Sequence, residues 1–275
     1  MGSLTENRSV FDGSYPWSDG GEEWSAFWGG SQAQWWGCLM PRLRSFIPAP
    51  RVLEIACGYG RWSRFLRELS DELVLVDISE RCVNACRELF AADAAVRVEQ
   101  TDGVSLPAVA RSVDFAFSFD SLVHVEMEVV MAYLGELARV LAPAGTAFLH
   151  HSNLAAYADA AGEVAIRHHW RATSVSASVV RSQAPQFGLA VVSQETVNWG
   201  FDELTDCFTV LARSGSRWDG PPRLREHRSF MAEAAAVRAL WEQYGHAPLP
   251  PLRPAVAAPA SPSALGRLLR RLGRE

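Results

Sequence analysis

Lysine is missing from this 275-residue chain: all 26 basic residues are arginine, which excludes a lysine base or a lysine Schiff base. Positive charge is in short supply as well. A formal net charge of −5 and a pI near 5.8 argue against nucleic acid as a partner, because a phosphate-binding face needs a basic excess. Cysteine is sparse: Cys38, Cys57, Cys82, Cys86 and Cys207 are odd in number and form no C-x-x-C pair. Cys82 and Cys86, four residues apart on a predicted helix, are expected to pack. No apolar run reaches membrane-spanning length and no secretory leader opens the chain, so a reduced, cytoplasmic protein without a transmembrane segment is expected. Repeats of useful length are absent too. What the chain does have is apolar bulk. With 48% hydrophobic residues and ten tryptophans, it can form one large α/β domain with additions at both ends.

The most informative stretch is VLEIACGYGRW (Val52–Trp62), an apolar strand, a glycine-rich turn and the start of a helix. Asp77 ends the next apolar run, 23 residues after Glu54, and Asp102 follows a third run 25 residues further on. Such strand ends suit a nucleoside-containing ligand lying across a parallel sheet, beyond the carboxyl ends of its strands. A dinucleotide fingerprint would read G-x-G-x-x-G, but only Gly58 and Gly60 fit and Ser63 stands third. Glu54 at the strand end would also repel a pyrophosphate.

The pattern E-x-A-C-G-Y-G resembles motif I of class I S-adenosylmethionine (SAM) methyltransferases, E/D-x-G-x-G-x-G, with Ala56 at the first glycine position. The likeness runs in register from Arg51 to Asn153. It implies a Rossmann-like α/β fold: a doubly wound, mostly parallel seven-stranded sheet with an antiparallel last strand, under a helical N-terminal cap. It also implies SAM as cofactor. Gly58 and Gly60 would let the backbone approach the ligand, with Ala56 completing the turn, and Glu54 would help orient the amino group. Asp77, followed by Ile78, would bind the ribose hydroxyls. Asp102, paired with Gly103, would accept from the adenine amino group, and Phe119 would pack on the cofactor.

Strands are expected at 51–55, 72–76, 95–99, 113–119, 145–150, 191–199 and 206–212, with helices at 61–70, 80–91 and 127–141. Residues 1–20 read as loose. From Glu22 to Ile47 the tryptophans and leucines recur at helical spacing, interrupted by Gly29 and Gly30. Three units follow: a Trp-rich helical cap or lid at 1–50, a SAM-binding core at 51–213 with an acceptor insertion at 151–188, and a tail at 214–275. That tail holds one helix (Ser229–Tyr244), a Pro/Ala-rich linker (Ala247–Ser263) and a short basic amphipathic end (Leu265–Glu275).

Two constellations lie at strand ends facing the transferred methyl group. In FDSLVHVE (Phe119–Glu126), Asp120 and His124 border cofactor and acceptor alike; HHSN (His150–Asn153) closes the fifth strand. Strand alternation lets only one histidine of the pair face the cleft. His151, taken to lie beyond the strand, is preferred, and His150 is expected to be packed. An alcohol attacks a methyl group only as its proton leaves, and histidine, with an ordinary pKa near ~6.5, is suited to take it. Asp120 would orient that base. A divalent cation held by Asp120, His124, His151 and Asp159 is the competing use, but no tight ligand spacing stands out, and no metal is assigned.

A third cluster, RHHWRATSVS (Arg167–Ser176), has the arginine, histidine and tryptophan of a carbohydrate-binding lining. The Trp-rich entry, GRW after motif I, DSLVH, HHSN and the later ETVNWG (Glu195–Gly200) together resemble bacterial sugar or glycan O-methyltransferases. The expectation is methyl transfer to a sugar hydroxyl, in a glycan or a glycosylated natural product. N-methylation of an amino sugar or other small amine, and a non-catalytic SAM-binding scaffold, are the alternatives.

Overall fold

The computed structural model describes residues 3–166 and 170–244. The Pro/Ala-rich linker, the basic end and Arg167–His169 of the third cluster lie outside the described residues.

The first residues are helical where a loose segment was expected. Helix α1 (Leu4–Ser9) starts at a capping box: the Ser3 hydroxyl accepts from the Glu6 amide, and the Glu6 carboxylate accepts from the Ser3 amide. A π-helical turn at Val10–Ser14 continues it. A 3-10 helix follows at Glu22–Trp28. After the glycine pair, one helical run comprises α2 (Ser31–Gln34), a π-turn (Trp35–Leu39) and α3 (Met40–Leu43). Its repeat buries Trp35, Leu39 and Leu43 completely.

The core alternates as the apolar runs predict: β1 (Ala49–Ile55), α4 (Ser63–Glu68), β2 (Ser70–Asp77), α5 (Glu80–Leu89), β3 (Val96–Gln100), β4 (Val113–Ser118), α6 (Met127–Val140) and β5 (Leu141–Ser152). Then come α7 (Ala177–Gln183), β6 (Leu189–Val197), β7 (Asp206–Arg213), β8 (Arg223–His227) and α8 (Phe230–Tyr244). The sheet order is β3-β2-β1-β4-β5-β7-β6-β8. Strand β7 runs antiparallel to both β5 and β6, as expected of the last of seven strands. Among the described residues there are eight strands, however. The extra one, β8, pairs parallel with β6 at the sheet edge, and its Arg-Leu-Arg-Glu-His sequence is exposed except at His227, so no apolar pattern announces it.

Period-two alternation sorts the two faces. Phe115, Phe117, Phe148 and Phe208 point to one side, where they join Trp28, Trp35, Leu39 and Phe230 in an aromatic core. Leu53, Ile55, Ala116, Ala147 and Leu149 point to the other, against Val130, Leu134 and Leu137 of α6. Each buried Leu, Ile, Val or Phe among them contributes about 1.5–3 kcal/mol. Helix α8 belongs to the same body: Phe230 is fully buried against Trp28 and Phe208, and its amide donates to Asn198 Oδ1. Around it, Arg42 pairs with both Glu195 and Glu233 at 2.8 Å. Chain direction across the sheet reverses between β1 and β4, which places a crevice above the carboxyl ends of those two strands.

Candidate active site

That crevice is a cavity with about 750 Å³ of space not filled by atoms, its open mouth included. Ala56 and Gly58 form its floor in the turn after β1, both with positive φ (60° and 55°). Gly58 donates its amide to Asp77 Oδ2 at 2.9 Å, and a Cβ added there would meet the Trp17 ring at 3.2 Å. Gly60 serves packing instead: its Cβ would lie 2.8 Å from Leu89 Cδ2 on α5. Asp77, at the end of β2, lines the cavity beside Ile78 and also accepts from the Ser79 amide at 2.9 Å. Burial pushes its carboxyl up to about 6, against the opposing pull of those two amides.

Glu54 stands one strand over, behind the turn and out of the cavity lining. It is buried, accepts from the Ser63 hydroxyl at 2.5 Å, and is pushed up to about 8 by that burial. Asp102 is turned to its own loop, where it accepts from the Val104 and Ser105 amides; Gly103 packs on Leu4 and Ile78. Neither lines the cavity. The N-terminal segment supplies what sequence reasoning missed. Asn7 donates through Nδ2 to the His124 carbonyl, while its buried Oδ1, on a cavity-lining residue, has no partner among the described residues. Phe11, Trp17 and Trp24 close the same side. The cavity therefore offers spare acceptors, Asn7 Oδ1 and the Asp77 and Asp120 carboxylates. The cation among its described lining residues, Arg61, is already paired with Asp120 at 3.0 Å. This donor-seeking lining fits SAM, with its amino groups, ribose hydroxyls and sulfonium, and does not suit a diphosphate.

Phe119, Asp120 and His124 follow β4 and also line the cavity. Asp120 sits at φ 63°. Its carboxylate takes Arg61, whose guanidinium lies over the Trp24 and Trp62 rings, and its amide donates to His150 Nδ1 at 3.1 Å. His150 Nε2 then faces Asp206 Oδ2 at 2.9 Å, and Arg171 reaches the same carboxylate at 2.8 and 3.1 Å. Burial alone would raise Asp206, but Arg171 and His150 overcome it and hold its carboxyl well below the usual range.

The expectation that His151 faces the cleft is reversed. Strand β5 runs on to Ser152, so His150 shares a face with Phe119, Trp199 and Phe208, and His151 points to the opposite side. There it is fully buried, with Nδ1 at 2.8 Å from the Ser152 carbonyl and Nε2 at 2.8 Å from Thr209 Oγ1. Burial lowers it to about 4. Both nitrogens of both histidines are thus engaged. His124 differs: Nδ1 lies 3.2 Å from the Trp170 carbonyl, to which it must donate, and Nε2 has no hydrogen-bond partner among the described residues. Burial, then the Arg171 charge, lowers it to about 4, so the ring is neutral at physiological pH.

A second chamber, with about 760 Å³ of unfilled space, adjoins the first. Asp120, His124, Phe11 and Trp24 line both, and Glu23, Phe27, Trp170, Arg171 and Trp199 complete it. Of the five tryptophans between 17 and 36, Trp28 and Trp35 are core, Trp36 packs against it, and Trp17 and Trp24 face the cavities. Among the described residues no three His, Cys, Asp or Glu side chains are grouped to hold a metal. Asp159 instead accepts the Ala161 and Glu163 amides of its own turn. Nor is any helix of these residues long and apolar enough to cross a membrane.

The fold is that of class I methyltransferases, and residues 52–145 match the family described as "Methyltransferase domain". SAM is the cofactor of that domain. The chain is 32% identical over 107 residues to a malonyl-[acyl-carrier protein] O-methyltransferase of Pectobacterium atrosepticum, covering 38% of this chain and 40% of that one. It thus spans about two fifths of the length of this curated relative. Among solved structures it is similar in fold to the PH0226 protein of Pyrococcus horikoshii OT3 (TM-score 0.52, 22% identity, 66% of this chain and 91% of that one). It is also similar to the CcbJ methyltransferase of Streptomyces caelestis (TM-score 0.51, 16% identity, 67% and 96%).

Proposed function

We propose that this chain is a SAM-dependent O-methyltransferase acting on a hydroxyl of a sugar-bearing small molecule, with His124 receiving the proton. One observation carries the reading. His124 is the only one of the three candidate histidines with a nitrogen left free among the described residues, and it stands where the two chambers meet.

When bound, SAM supplies a methyl carbon made electrophilic by its sulfonium. Asp77 and Asn7 Oδ1 would hold donor groups of the cofactor. Glu54, behind the turn, acts through the backbone, and Asp102 and Gly103 shape the neighbouring loop. The acceptor hydroxyl, presented from the second chamber, would attack in line, its O–C bond forming as the S–C bond breaks and S-adenosylhomocysteine (SAH) leaves. His124 Nε2 takes the hydroxyl proton. A weak base is sufficient here, because the oxygen grows acidic as it acquires the methyl group. Asp120 and Asp206 lie near enough to favour the imidazolium that results. His150 and Asp206 keep Asp120 and Arg171 in place. Aromatic walls at Trp24, Trp170 and Trp199 suit the C–H faces of a sugar ring, while Arg171 and Glu23 suit its hydroxyls.

The test is a mass-spectrometric transfer assay with SAM, a panel of glycosides and amino sugars, and parallel reactions in chelator. Methyl on a hydroxyl, unaffected by chelator, supports the reading. Transfer to nitrogen alone contradicts it, and loss of turnover in chelator moves the proton-handling role to a metal.

A further inference from the structure

Among the described residues, the lining of the second chamber carries an uncompensated negative charge. Three charged side chains line it, and two of them belong to closed pairs: Asp120 with Arg61 at 3.0 Å, and Arg171 with Asp206 at 2.8 Å. His124, donating from Nδ1 to a carbonyl and with no partner for Nε2 among the described residues, is neutral. Of the described lining residues, Glu23 is the one charged group without a partner of opposite sign. The Tyr15 hydroxyl donates to its Oε1, and its Oε2 is buried with no partner among the described residues. A buried carboxylate oxygen left unpaired is costly, and a ligand that pairs it recovers that cost on binding. The surroundings are aromatic: Phe11, Trp24, Phe27, Trp170 and Trp199 line the same space. Phe27 and Trp170 remain 63% and 55% exposed. Ring faces attract an ammonium within ~6 Å and offer nothing comparable to an anion.

We propose that the acceptor is cationic, an amino sugar whose protonated amine is held by Glu23 among these rings while a hydroxyl of the same molecule is methylated. This rests on the O-transfer reading above and adds the substrate class. It disfavours an acceptor bearing a carboxylate or phosphate, which would meet Glu23 without a free cation among the described residues in return.

The inference is tested by binding as well as by turnover. Full-length protein saturated with SAH is titrated, by calorimetry and tryptophan fluorescence, with methyl glucosaminide, its uncharged N-acetyl derivative and methyl glucoside. The glucosaminide is expected to bind about tenfold or more tightly than either neutral probe, and Glu23→Gln to abolish that preference while Glu23→Asp keeps part of it. Unchanged SAH affinity and melting temperature in Glu23→Gln show that the variant is folded. Equal binding of charged and neutral probes, binding of none at millimolar concentration, or a preference that survives Glu23→Gln would overturn the inference. The position of the methyl group separates this from the parent reading. Transfer to hydroxyls without an amine preference sinks only the Glu23 role, whereas an amine preference with methyl on nitrogen sinks the O-transfer reading.

Discussion

Replacing Asp206 by asparagine removes the charge on which the acceptor side is built. The carboxylate is fully buried and accepts from Arg171 twice, at 2.8 and 3.1 Å, and from His150 at 2.9 Å. Asparagine keeps the shape and one acceptor but leaves the Arg171 guanidinium buried without a counter-ion. Breaking one side of a buried pair in this way costs about 3–5 kcal/mol. For a chain of this size that corresponds to a melting temperature lower by roughly 6–20 °C. The pH dependence has a definite sign. The native carboxyl titrates below its unfolded value, so its contribution is present above the unfolded pKa of ~3.9 and is lost as pH falls through the lower native pKa. The gap between wild type and Asp206→Asn should therefore be constant above about pH 5 and narrow below about pH 4. Urea unfolding at a series of pH values measures it. A gap under about 1 kcal/mol at pH 7, or one that widens in acid, would refute the buried-pair account.

Glu54 should behave in the opposite way. Its native value near 8 lies above the ordinary 4.5, so its contribution is full below pH 4.5 and disappears as pH rises through 8. Glu54→Gln should flatten the decline of melting temperature between pH 5 and 8, an effect of at most about 5 kcal/mol, with Asp77 leaving a residual slope below pH 6. Ala56→Gly relieves a Cβ in the left-handed region and should stabilise by about 1 kcal/mol or less, read from urea midpoints. Asn7→Ala should weaken SAH binding about fivefold in calorimetry by removing the spare Oδ1 acceptor. Phe230→Ala, at a fully buried ring joining α8 to the sheet, should cost about 3–5 kcal/mol in thermal or urea unfolding.

The sheet was legible wherever a strand is buried on both faces, because β1, β2, β4 and β5 are near-continuous apolar runs punctuated by Gly, Asp and Ser. Strand β8 was not, since an edge strand pairing through its backbone needs no apolar side chains. The first helix was hidden for a related reason. Its signal is a capping box spelled by Ser3 and Glu6, and no apolar stripe precedes or follows it. Without that helix Asn7 and Phe11 had no place at the first cavity, and the cap read as a tryptophan cluster. The turn glycines and Asp77 were legible because their order along the chain fixes their place at strand ends. The histidine pair failed on parity. Two more strand residues after His150 decide which ring faces Phe119, and only the pairing with β7 shows that they are there. Asp206, an acid at the start of an otherwise apolar run, gains meaning only when Arg171 folds over it.

The most direct measurement is single-turnover methyl transfer by His124→Ala and His124→Gln beside His150→Ala and His151→Ala, with SAH affinity determined for each. The account predicts that both His124 variants lose about 10²–10⁴-fold in the transfer rate with SAH affinity unchanged, the range expected for a removed general base. His151→Ala, on the far face of the sheet, should lower stability and leave the transfer rate of the folded protein within a few-fold of wild type. A His124 variant that transfers methyl to a hydroxyl at the wild-type rate would contradict the central claim.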